Sequence, residues 1–428
     1  MTKKISYFRL FIYFFVMFYL LYMPELFQLF GLPIRSQLVV IFIDFVIAFR
    51  ILFRLSLNRK TYFEWDRNSS FLIFGILLSA LYFSFVALIN GYNPRILQNL
   101  FIIFQLLPIL YFLSRLSLFQ FKMKDKFTFI FNIILFQCCT NILMLFIPSL
   151  KSIALQLYYM GRPENIFISS MRIYGISNDY TFFTPIFHGL MMGIALYLCL
   201  FEKSYKFLIY IPFLLITTLL NGRTGLFLGI LLMIIVLVFY SSLKIQNQLK
   251  SILILAIMVV LLSFTVWIVK IYNNETYLWF MGSIMDFRTY IIYGEKTGNF
   301  SILSDMITLP KGIHLLFGSG YRVYREINGI SNSDIGFIND LFMGGLMYCS
   351  ILYGTYFLFI FRYKNSSLAS IKKILISTML ITTFVISNFK GEASRGGLII
   401  IGIILCKKLI DDVVDSEETN DKCNHPNI

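Results

Sequence analysis

The sequence predicts an all-α polytopic membrane protein with about twelve transmembrane helices, both termini cytoplasmic, and two long outer loops near 148–180 and 272–335. Three observations predict this. Of the 428 residues, 58% are hydrophobic, and the mean hydropathy is +0.76. The apolar residues form unbroken runs, such as Leu226 to Phe239 and Ser251 to Val269, rather than the alternation of a membrane barrel. Most of the Lys and Arg residues fall in every second connection between the runs. In lipid each backbone N–H and C=O needs an internal partner, so runs of this length read as helices.

Spans are predicted at roughly 5–23, 37–57, 69–89, 96–114, 127–147, 181–200, 205–220, 224–241, 250–271, 336–361, 371–388 and 395–410. The first follows Lys3 and Lys4 like a signal peptide. It is too long and aromatic for one, lacks a small-residue cleavage site, and reads as a retained span. The segments read as cytoplasmic carry Arg50, Arg54, Arg59, Lys122, Lys124, Lys126, Arg362, Lys372, Lys373, Lys407 and Lys408, among others. The short outer loops hold only Arg35, Arg95, Arg223, Lys390 and Arg395.

Residues 1–410 read as one membrane domain, and 411–428 as an acidic, disordered cytoplasmic tail. Met281 to Tyr293 mixes apolar and charged residues and reads as a helix lying on the membrane surface. The net charge of +15 is explained by cytoplasmic Lys and Arg, without nucleic acid. The six cysteines show neither metal-ligand spacing nor a pair in an outer loop, so no metal, cofactor or disulfide framework is expected.

The surplus arginines of the outer loops carry the functional argument, because the positive-inside bias gives them no reason to be there. Arg223-Thr-Gly-Leu-Phe-Leu-Gly echoes Arg395-Gly-Gly-Leu-Ile-Ile-Ile-Gly, each at the predicted outer start of a span. A helix start presents free N–H groups and partial positive charge, so an Arg there is disfavoured unless an anion is shared. Gly225, Gly396 and Gly397 permit close approach to backbone, and a planar guanidinium binds phosphate oxygens in pairs. These features suit a phosphate or diphosphate site. The plainer alternative is that each Arg anchors its helix among lipid headgroups.

Arg172 (before Gly175, Asn178 and Asp179), Arg288, Arg322 and Arg325 are further candidates, against solvated loop cations as the alternative. Asp334 reads either as a helix cap or as a carboxylate that takes a proton from a sugar hydroxyl. Asp340, about two turns deeper, is a functional candidate if it lies at membrane depth. His188 and His314 read as structural.

Several of these pieces occur in a particular order. They are Arg172-x-x-Gly175, Asn221-Gly-Arg223-Thr-Gly225, Arg288 ahead of Leu315-Leu-Phe-Gly318-Ser-Gly320, Ser333-Asp334-x-Gly336, and Gly344-Gly345. In this order, over roughly residues 165–355, the chain resembles the superfamily of O-antigen polymerases (Wzy) and O-antigen ligases. The resemblance implies a multi-spanning, metal-independent glycosyltransferase of a bacterial cytoplasmic membrane. Such enzymes move an oligosaccharide from one undecaprenyl diphosphate onto the repeat unit carried by another, in O-antigen or capsule synthesis. It maps the family's outer-loop arginines onto Arg172, Arg223 and Arg288, and implies a chain-length regulator and a flippase as partners.

Ligases carry a His-Asn pair where this chain has Ser333-Asp334, which favours polymerase. Asp334, Arg223 and Arg288 are thus the expected catalytic residues, with Arg172, Arg322, Arg395, Gly225 and Asp179 at the diphosphate and substrate. Asp334 is the first choice of base and Asp179 the second. A ligase, a lipid-oligosaccharide flippase and a receptor or structural protein are the competing readings.

Overall fold

The computed structural model describes residues 6–32, 34–57, 66–119, 121–159, 172–177, 183–323, 333–363, 370–391, 393 and 397–411. The tail read as disordered therefore lies outside the described residues from 412 onward. Among the described residues all regular structure is helical. The helices are α1 (Tyr7–Tyr22), α2 (Ser36–Ser56), α3 (Arg67–Ile89), α4 (Ile96–Leu118), α5 (Met123–Phe146), α6 (Pro148–Tyr159), α7 (Phe183–Leu200) and α8 (Tyr210–Asn221). They continue as α9 (Arg223–Ser241), α10 (Ile245–Tyr272), α11 (Asn274–Tyr293), α12 (Gly298–Asp305), α13 (Ile313–Phe317), α14 (Gly336–Phe361), α15 (Ser370–Lys390) and α16 (Gly397–Asp411).

Eight described helices are long and apolar enough to cross a membrane: α3, α4, α5, α7, α9, α10, α14 and α15. The chain is a multi-pass, all-α membrane protein. α1 and the stretch Tyr205–Asn221 are apolar but shorter, and α2 carries Asp44, Arg50 and Arg54 within its span.

α7 is the central post, with 89% of its apolar window buried, whereas α10 has only 17% buried and faces outward. α7 meets α9 through small residues on both helices. A Cβ on Gly189 would lie 2.3 Å from the Gly225 carbonyl oxygen, and one on Gly225 would lie 2.1 Å from that of Pro185. Such close backbone approach is how helices gain dispersion contact when lipid is as apolar as their side chains. His188, inside α7, is wholly buried. Its Nε2 meets the Tyr22 hydroxyl at 2.9 Å and its Nδ1 the Thr217 hydroxyl at 3.3 Å, so it pins α1 and α8 to the post, in keeping with the structural reading.

Among the described residues, the predicted outer segment 272–335 holds three helices, and the surface helix expected over 281–293 begins earlier. α10 stops at Asn273, whose side chain accepts from Thr276 N–H (3.2 Å) and starts α11 at once.

α14 is broken at Gly345, whose φ of 65° and ψ of −165° lie outside the helical region. The turn after α13 fills the break. Ser319 N–H donates to Phe342 O (2.7 Å), and Gly320 N–H lies 3.1 and 3.2 Å from Phe342 O and Met343 O. Carbonyls released by the break are thereby satisfied by loop amides, as a low-dielectric surrounding demands. The contact is backbone on backbone, since a Cβ on Gly318 would lie 2.4 Å from Gly344 Cα.

Basic residues gather at the ends of the helices remote from this turn. Lys372 pairs with Glu202 at 2.9 Å, and Lys124 donates to the Glu202 carbonyl at 2.7 Å. Lys407 sits 3.7 Å over the Tyr363 ring and pairs with Asp411.

Candidate functional site

A cavity of about 760 Å³ opens where the start of α9, the start of α14, the end of α15 and one face of α11 converge. Its charged lining comprises Arg172, Arg223, Lys390, Asp286 and Asp334. Much of the remaining wall is apolar, including Phe227, Ile284, Phe287, Ile302, Met306 and Phe389.

Arg223 reaches the cavity because α8 ends at Asn221 and an extended Gly222 restarts the chain as α9. Its guanidinium donates to the Trp279 carbonyl (Nη1 to O, 2.8 Å) and to the Ser283 hydroxyl. It also lies 3.8 Å from the centre of the Trp279 ring. Arg172 arrives from the non-helical segment 172–177, and its guanidinium carbon lies 4.5 Å from the same ring. That segment is held by Ile173 N–H donating to Leu220 O at 3.2 Å. Two guanidiniums from separate segments therefore share one indole, an arrangement that cation–π attraction supports and charge repulsion opposes.

Lys390, at the last position of α15, is attracted by the Asp334 carboxylate and repelled by Arg172 and Arg223. Asp286 offsets the charge on Arg223, and the Thr297 hydroxyl lies 3.4 Å from its Oδ1. With three cations against two carboxylates, the lining has a net positive charge and suits an anion that bears an apolar chain.

Asp334 does not cap α14. Ile335 occupies the cap position without a side-chain bond, and the exposed Asp334 lines the cavity instead. Of the residues expected at the site, Arg172, Arg223 and Asp334 are brought together. Arg288 is exposed and lies off the cavity. It follows Trp279 by nine residues, two and a half turns at about 3.6 residues per turn, so it points away from Trp279, one turn beyond Ile284 at the edge of the lining.

Arg322 is half-buried beyond the turn that fills the α14 break, away from the cavity lining. Gly225 faces Pro185 across the α7–α9 contact, while its neighbour Gly222 lines the cavity. Asp179, Arg325 and Arg395 lie outside the described residues. Asp340 is fully buried, accepts from the Tyr353 hydroxyl, and does not reach the cavity. His314 Nδ1 lies 3.1 Å from Gly318 O, within the turn.

Sequence reasoning missed Trp279, Ser283, Asp286 and Lys390. The first three recur at helical spacing and define one face of α11, a signal visible once Asn273 is read as its cap. Lys390 was read only as a cation of a short outer loop.

The fold and cavity define a multi-pass helical membrane protein with a cationic, partly apolar pocket built on helix ends. No family model, curated protein or solved structure matches the chain.

Proposed function

We propose that this protein polymerises lipid-linked oligosaccharide repeat units at the outer face of a bacterial cytoplasmic membrane. The observation that carries the reading is the convergence of Arg172 and Arg223 on Trp279, in one cavity with Lys390 and Asp334. The resemblance of the ordered motifs to O-antigen polymerases also supports it.

In this proposal the donor is a glycan on undecaprenyl diphosphate and the acceptor is a hydroxyl of the next lipid-linked unit. The acceptor oxygen attacks the anomeric carbon of the donor, and a new glycosidic C–O bond forms. The bond from that carbon to the diphosphate oxygen breaks, and undecaprenyl diphosphate leaves with the electron pair. Asp334 takes the hydroxyl proton. Arg172, Arg223 and Lys390 stabilise the charge that grows on the leaving diphosphate. The apolar wall accommodates the first isoprene units.

Orientation follows from charge. In this proposal α1 to α5, α7, the Tyr205–Asn221 stretch, α9, α10, α14, α15 and α16 are taken as twelve crossings, which puts the cavity at one membrane face and the cluster of Lys124, Lys372, Lys407 and Lys408 at the other. The positive-inside bias then makes the basic face and both termini cytoplasmic and the cavity external.

The test is a gel of surface polysaccharide from cells lacking the gene, complemented by wild type or by Arg223→Ala. Collapse of a ladder to a single repeat unit, rescued by wild type alone, is the expected result. Loss of even the single unit points to a ligase or flippase, and an unchanged ladder removes the protein from this pathway.

A further inference from the structure

The segment 172–177 has no secondary structure to hold it, yet it must deliver Arg172 to the Trp279 ring. Beside the Ile173–Leu220 bond and the Ser177–Thr184 hydroxyl contact, a glutamine inside a membrane helix holds its middle. Gln137 lies within α5 and is wholly buried. Its Nε2 donates to Tyr174 O at 2.7 Å, and its Oε1 accepts from Ile176 N–H at 3.1 Å. One side-chain amide thus pairs with the backbone on both sides of Gly175, as a neighbouring strand would. A polar amide at such a position is costly to bury unless both of its ends are used.

Gly175 makes the pairing possible. Its φ is +66°, and a Cβ there would lie 2.0 Å from Asn141 Oδ1 and 2.5 Å from Gln137 Nε2. Ile173 is bonded in turn to Leu220, one residue before the Asn221-Gly222 link that releases Arg223. The α5 amide therefore sets the segment that carries one arginine against the helix end that carries the other.

We infer that Gln137 is a positioning residue of the cavity: through residues 173–176 it sets the Arg172 guanidinium on Trp279 beside Arg223, and so sets the affinity of the cavity for a diphosphate anion. The anion part rests on the function proposed above; the positioning part does not.

The test uses the purified full chain in lipid nanodiscs, with Trp65→Phe and Trp267→Phe so that Trp279 alone emits. Inorganic pyrophosphate is titrated and Trp279 emission followed. Gln137→Met, which keeps length but neither bond, is expected to weaken binding about tenfold or more. It should also shift anion-free Trp279 emission to that of Arg172→Ala. Gln137→Glu keeps a donor and an acceptor in its neutral form, and in that form should restore both readings. Gly175→Ala pushes the same segment off the Gln137 amide while leaving Gln137 in place, should mimic Gln137→Met, and decides the matter if Gln137→Met does not fold.

Unchanged emission and affinity in the folded variants overturn the positioning role. If the parent protein shows no response to pyrophosphate, the anion reading falls. The anion-free emission of the variants then decides the positioning role alone.

Discussion

The α7–α9 contact offers the most direct test of the architecture. Alanine at Gly225 puts a Cβ 2.1 Å from the Pro185 carbonyl oxygen and 2.7 Å from Pro185 Cβ. Unstrained contact lies near 3.5 Å, so the two helices must part locally by more than 1 Å. Overpacking of this kind costs about 1–3 kcal/mol. The upper end applies because the obstruction is backbone that cannot rotate away. Replacing Gly by Ala in a helix returns at most about 1 kcal/mol, leaving a net loss of about 2 kcal/mol.

Gly354 is the matched control. It lies in α14 with nothing within 4 Å of an added Cβ. Gly354→Ala should therefore be neutral or stabilising by up to about 1 kcal/mol. Thermal unfolding of the purified protein in one detergent, followed by intrinsic fluorescence, compares the two. A lowered midpoint for Gly225→Ala beside an unchanged or raised one for Gly354→Ala is expected. If Gly225→Ala melts at or above wild type, the contact is looser than described.

Three further outcomes are expected. Arg223→Lys should lose most polymer, because a point charge cannot both stack on Trp279 and donate to its carbonyl and Ser283, while Arg288→Ala, outside the cavity lining, should keep the wild-type ladder; equal ladders from both variants would count against the cavity as the site. Asp334→Asn should stop chain extension at unchanged protein level, since an exposed carboxylate that caps nothing contributes little to folding; a normal ladder excludes it as the base. Gly345→Ala should destabilise by more than about 2 kcal/mol, combining a φ of 65° with a Cβ 2.4 Å from the Leu316 backbone, and a wild-type melting midpoint would show that the α14 break relaxes.

The helices were legible because hydrophobic length is a local property, readable without knowing what packs on what. The site was legible only where chemistry conflicted with local rules. Arg223 at a helix start and Arg172 in a connecting segment stood out because nothing nearby explained them. Arg288 looked similar in sequence, but its place in the helical period, counted from Trp279, turns it away.

Lys390 could not be singled out, since its role depends on α15 ending beside α14 and α9. The glycines at 318, 344 and 345 were visible as letters, while their purpose needed the loop and the broken helix in contact. Gln137 gave no signal at all: one amide in an apolar span acquires meaning only when its backbone partners, 37 and 39 residues later, are known.

α10 turns most of its surface away from the rest of the chain and passes through the single residue Asn273 into α11, which carries Trp279. A helix so little held by protein takes much of its tilt from the thickness of the bilayer around it. A change of thickness that tilted α10 would therefore act on the indole that both arginines share. A thinner or thicker membrane would retune the pocket without any ligand binding, which makes lipid chain length a control variable for this protein, alongside salt and temperature.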